Sequence, residues 1–88
     1  MNLEENKDYI LKENVPEGQM KAYFEVLEDN TSPFRLEGNS TPHYMCRIHK
    51  VTVDGEDKTE EYLEKAFNGE KTRGIPTSKV QESEIEPA

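Results

Sequence analysis

The chain has 88 residues, with nineteen acidic against eleven basic side chains, a formal net charge of −8 and 32% hydrophobic residues. That length sets one small domain with a thin core, too small to enclose a large substrate cavity. One cysteine excludes an internal disulfide scaffold, no apolar run approaches the roughly 20 residues that cross a bilayer, and such an anionic surface repels nucleic acid.

The polar, mildly acidic first ten residues do not resemble a signal peptide, so a soluble cytoplasmic protein is expected. Tyr9 to Val15 reads as a first short strand, with a helical turn as the alternative. Pro16-Glu17-Gly18 follows as a turn, since proline presets its own φ and glycine tolerates positive φ. From Gln19 to Glu28 apolar and polar residues alternate, with Ala22, Phe24 and Val26 on one side and Lys21, Tyr23, Glu25 and Leu27 on the other. This predicts a second strand, and a hairpin with the first.

Asp29 to Pro33 and Glu37 to Pro42 carry loop composition, and Phe34-Arg35-Leu36 between them predicts a short edge strand. His43 to Val53 is the longest predicted strand, with Tyr44, Cys46 and Ile48 on one face and Asp54-Gly55 at its end. Residues 41–55 are the one stretch with a positive balance, +1, which suits a central, partly buried strand.

Asp57-Lys58-Thr59-Glu60 has the spacing of a capping box, and Asp57, Glu60 and Glu61 complement the dipole of the helix start. Tyr62, Leu63, Ala66 and Phe67 form one apolar stripe, and Gly69 fits the position past the helix end. Residues 75–88 hold scattered apolar residues and read as a flexible C-terminal tail behind a domain of residues 1–74. The expected fold is therefore α+β: a small antiparallel sheet of three or four strands, one helix, and flexible termini.

Chemistry-bearing patterns are few. His43, Cys46 and His49 are spaced three apart, but strand alternation puts Cys46 opposite both histidines and a fourth ligand is missing, so no metal is expected. The same facing denies Cys46 a neighbouring base along the strand. Asp54-Gly55-Glu56-Asp57 lacks the twelve-residue calcium-loop pattern, and no glycine-rich phosphate loop exists. These patterns predict no enzyme, no catalytic residue and no cofactor.

The acids remain as candidate chemistry. Alternate residues of a strand repeat at about 6.6 Å, comparable to phosphate spacing in DNA. Carboxylates fixed at such positions can occupy a groove that grips phosphate, and Glu25, Glu28, Asp29, Asp54, Glu56, Asp57, Glu60, Glu61 and Glu64 are the candidate partner-binding residues. The second functional class is a small adaptor docking through its sheet edge or its tail around Val80 and Ile85, largely indifferent to salt.

The size, the acidity, the apolar clusters at Ala22-Tyr23-Phe24 and Tyr44-Met45-Cys46, and the lack of a catalytic motif resemble small acidic host-takeover proteins of bacteriophages. Within that group the chain is most similar to DNA-mimic inhibitors, which include one directed at the nucleoid protein HU. The resemblance implies a basic, HU-like DNA-binding partner in the host cytoplasm and competitive exclusion of DNA. Neither direct nucleic-acid binding nor membrane contact is expected, and a thin core leaves room for a homodimer.

Overall fold

The computed structural model describes residues 2–35, 38 and 40–88. Its frame is a six-stranded antiparallel sheet: β1 (Asp8–Val15), β2 (Gly18–Asn30), β3 (His43–Val53), β4 (Glu56–Asp57), β5 (Thr72–Pro76) and β6 (Glu84–Pro87). The order is β4-β3-β2-β1-β6, and β5 shares with β4 the free edge of β3. Two short helices, α1 (Thr59–Phe67) and α2 (Thr77–Glu82), complete the chain. The α+β character matches the sequence expectation, whereas the strand and helix counts exceed it.

Alternation explains the centre of the sheet. Met20, Ala22, Phe24 and Val26 of β2 are buried, and Tyr9 and Leu11 of β1 join them. On β3 the buried set changes parity, from Tyr44, Cys46 and Ile48 to Val51 and Val53. The pairing shows why. Phe24 opposes Ile48 and Tyr23 opposes Lys50, so His49 is an extra residue, a bulge that flips the facing of all that follows. A second shift leaves Leu27 unpaired between Val26 and Glu28.

The turns follow from their residues. Asp54 and Gly55 take positive φ, 50° and 84°, and join β3 to β4 as the two-residue Asp-Gly hairpin turn that suits sheet twist. At the helix end Asn68 and Gly69 are both left-handed, and the Gly69 N–H reaches back to the Leu63 carbonyl at 2.8 Å. The helix start departs from expectation. Asp57 Oδ1 accepts from Thr59 N and Oγ1, not from Glu60, so the capping box does not form. Thr59 Oγ1 also accepts from Val51 N at 3.0 Å, and Lys58 N donates to Val51 O. These bonds staple the start of α1 to β3 and displace the expected cap by one residue.

Three further expectations are corrected. Pro33–Arg35 forms a 3-10 turn and leaves Phe34 98% exposed; Leu36 lies outside the described residues, as do Glu37 and Asn39. The N-terminus is held: Leu3 is buried, its N–H donates to the Tyr44 hydroxyl, and Glu4 N donates to the Tyr9 hydroxyl. The stretch 75–88, expected as a flexible tail, carries the end of β5, then α2 and β6. Ile75 pairs with Tyr44, Val80 is buried, and Ile85 pairs with Leu11. No described helix is long and apolar enough to cross a membrane.

Candidate functional site

Two hairpin turns arrive at the same end of the sheet, because β2 is antiparallel to both β1 and β3. Gln19 and Asp54 exchange bonds there: Asp54 N donates to Gln19 O at 3.0 Å, and Gln19 N to Asp54 Oδ1 at 2.9 Å. The start of α1 lies beside them through the Val51–Thr59 staple. Asp54, Glu56, Asp57, Glu60 and Glu61 therefore share one end of the molecule, whereas the Glu64 carboxylate turns toward Gly69 at the other end of α1. Glu17, in the β1–β2 turn, joins them and was not among the residues chosen from sequence. The order of the two hairpins was the signal that could have found it.

Several of these carboxylates are held rather than free. Glu17 Oε2 accepts from the Tyr62 hydroxyl at 3.0 Å, and its Oε1 lies 3.5 Å from Lys65 Nζ. A backbone N–H and the Tyr62 hydroxyl keep the Glu17 carboxyl below its ordinary range, while burial and the Glu17 bond raise the Tyr62 phenol. The Thr59 hydroxyl and N–H hold Asp57 below its usual value. Glu56 pairs with Lys58 at 3.4 Å. Six carboxylates thus face four ammonium groups, those of Lys50, Lys58, Lys65 and Lys71, and the end keeps a net negative charge.

Glu25, Glu28 and Asp29 are not part of this group. Asp29 is ten residues along β2 from Gln19, about 33 Å at about 3.3 Å per residue. There Asp29 Oδ1 caps Thr31 N and Oγ1, Glu28 accepts from Asn30 Nδ2, and Glu25 lies on the sheet face away from the helices, 4.0 Å from Arg47. The nine expected contact residues therefore split: five at the hairpin turn and helix start, Glu64 farther along α1, Glu28 and Asp29 at the far end, and Glu25 halfway along β2.

The His-Cys-His spacing does not converge. Cys46 is fully buried and burial pushes its thiol up to about 12, whereas His43 bonds Thr41 O and His49 lies 3.6 Å from Asp8. Among the described residues no group of three or more His, Cys, Asp or Glu is placed to hold a metal ion. Val80, offered from sequence as a tail contact, is committed to the core.

A second feature lies where the sequence offered no candidate. Between α1 and the β5–α2 segment runs an apolar cleft of about 450 Å³. Leu11, Met20, Ala22 and Phe24 form its floor, with Tyr62 and Phe67 on one wall and Ile75 on the other. No known protein family matches this sequence, and neither a curated protein nor a solved structure matches it significantly.

Proposed function

We propose that this chain is a non-enzymatic acidic protein that binds a basic DNA-binding protein and competes with DNA for it. The observation that supports this reading is the gathering of six carboxylates at one end, on two hairpin turns and the start of α1. Backbone pairing and the Tyr62, Thr59 and Gln19 bonds hold that end in fixed geometry. Fixed anions match a phosphate-binding groove at lower ordering cost than mobile ones. The binding surface in this reading is Glu17, Asp54, Glu56, Asp57, Glu60 and Glu61, with Glu64 farther along α1, and an HU-like nucleoid protein is the partner class implied by the resemblance.

Binding of this kind accelerates encounter and weakens as salt screens the charges. The test is displacement of labelled duplex DNA from an HU-like protein at rising salt, with the native chain and with Glu60→Lys, Glu61→Lys and Glu64→Lys combined. These three side chains are exposed on α1, so the variant is expected to keep its fold. Displacement by the native chain and its loss in the folded variant support the reading. Unchanged displacement by the folded variant rejects it.

A further inference from the structure

We propose that the cleft between α1 and the β5–α2 segment binds a small amphipathic carboxylate, an apolar tail ending in one carboxyl group. The cleft follows from the architecture. A six-stranded sheet is covered by helices of only nine and six residues. One helix packs on β3 and the other on β5 and β6, so the two helices leave a narrow gap over β1 and β2, whose floor residues keep only 1–6% of their surface exposed. Small residues, Ala22 and Ala66, widen the gap. Its volume of about 450 Å³ falls in the ordinary range of small-molecule sites, about 300–1,000 Å³.

The lining selects the tail and the mouth selects the head. Leu11, Phe24 and Ile75 offer no polar partner, so a hydrocarbon chain gains affinity with each methylene removed from water. At the mouth stand two cations, Arg73 and Lys79, against one carboxylate, Glu13. Glu82 and Glu84 stand on the outer side of the Lys79–Glu13 pair, so the cation that carries the selection is Arg73, which forms no ion pair among the described residues. The Arg73 guanidinium lies 4.7 Å from the Phe67 ring centre, and its Nη1 donates to Ala66 O at 2.8 Å. Among the described residues that is its one hydrogen bond, which leaves donors of a pre-oriented group for an incoming carboxylate. Lys79 Nζ is 2.8 Å from Glu13 Oε1, so a bound carboxylate competes with Glu13 for the same ammonium.

That competition gives the proposal a sign. Glu13→Gln strengthens binding of a carboxylate, about three- to fivefold for an exposed pair, and Lys79→Gln weakens it by a similar factor. The experiment titrates the isotope-labelled protein with decanoate below its micelle-forming concentration, following amide shifts, with decyltrimethylammonium as the cationic counterpart. Saturable shifts centred on Ala22, Ala66 and Ile75 are expected with decanoate, and weaker binding of the ammonium compound. Ala66→Trp, at an exposed helical position, fills the cleft and is expected to abolish the shifts while the spectrum stays dispersed.

Equal binding of both head groups, no saturable shifts, or weaker decanoate binding by Glu13→Gln would each overturn the proposal. So would cleft shifts that track protein concentration alone, which would assign the cleft to a second copy of the chain. None of these outcomes touches the anionic end, so this proposal and the proposed function fail independently.

Discussion

At Gly18 the backbone has φ of 145°, and the space a Cβ would need is already taken by the Asp54 carboxylate that accepts from Gln19 N. Gly18→Ala therefore strains the backbone and evicts the carboxylate that locks the two hairpins together. The expected loss is about 2–4 kcal/mol, combining strain of about 1–3 with a hydrogen bond of about 1, read as a lower urea midpoint with an unchanged slope. Cys46 gives a second test. Its thiol is buried and raised to about 12, so it should resist thiol reagents at pH 8 until denaturant opens the core. Rapid labelling of the native protein would contradict that burial. The same shift gives alkaline behaviour a sign. Above about pH 9 the unfolded thiol ionises and the folded one does not. Stability is thus lost as pH climbs from there toward 12, and Cys46→Val should blunt the fall in melting temperature.

The C-terminal elements are where local pattern and tertiary role diverge most. Ile75 and Val80 are buried, and β6 closes the outer edge of β1. Ending the chain after Gly74 removes both side chains, each worth about 1.5–3 kcal/mol of burial, and frees a sheet edge. A protein of this size has little stability to spare, so the truncated chain is expected to lose its cooperative melt and its amide dispersion. Loss of partner binding on that truncation would consequently report unfolding rather than a tail motif. The hairpin-to-helix junction carries an acid-sensitive contact. Glu17 and Asp57 both have lowered pKa values, so the stability they add is complete above about pH 4.5, the ordinary value for Glu17. It is lost as pH falls through their lowered values. Tyr62→Phe removes the hydroxyl that Glu17 accepts, so the Glu17 titration measured by carbon NMR is expected to move up toward 4.5.

Charge is distributed unevenly over the whole molecule. The anionic end carries the two hairpin turns and the start of α1, the far end of β2 carries a smaller group, and at the cleft mouth Arg73 forms no ion pair among the described residues. If the anionic end is the binding surface, affinity for a basic partner should fall steeply between low and moderate salt, in proportion to the ion pairs formed. Reversing Glu25, Glu28 and Asp29 instead should change affinity much less than reversing Glu60, Glu61 and Glu64. Calorimetric titration of both folded variants at two salt concentrations checks this. Equal losses would mean that both ends touch the partner.

The sequence alone determined the features that local physics decides. Alternation marked β2 and β3, Asp54-Gly55 marked a hairpin turn, and the stripe at Tyr62, Leu63, Ala66 and Phe67 with Gly69 behind it marked α1, although Ala66 is exposed in the fold. Their period is long enough to stand above chance, and their turn residues have conformational needs of their own. Only the tertiary structure decided the rest. β5, α2 and β6 are four to six residues each, too short to show a period, and they exist through pairing with β3 and β1 far away in sequence. The bulge at His49 depends on register, which no single strand encodes. The joining of Glu17 to the helix acids, and of Arg73 and Lys79 to one apolar cleft, required knowing which strands are neighbours. Charge counting cannot supply that, because it records how many ionised groups there are and not which turn faces which.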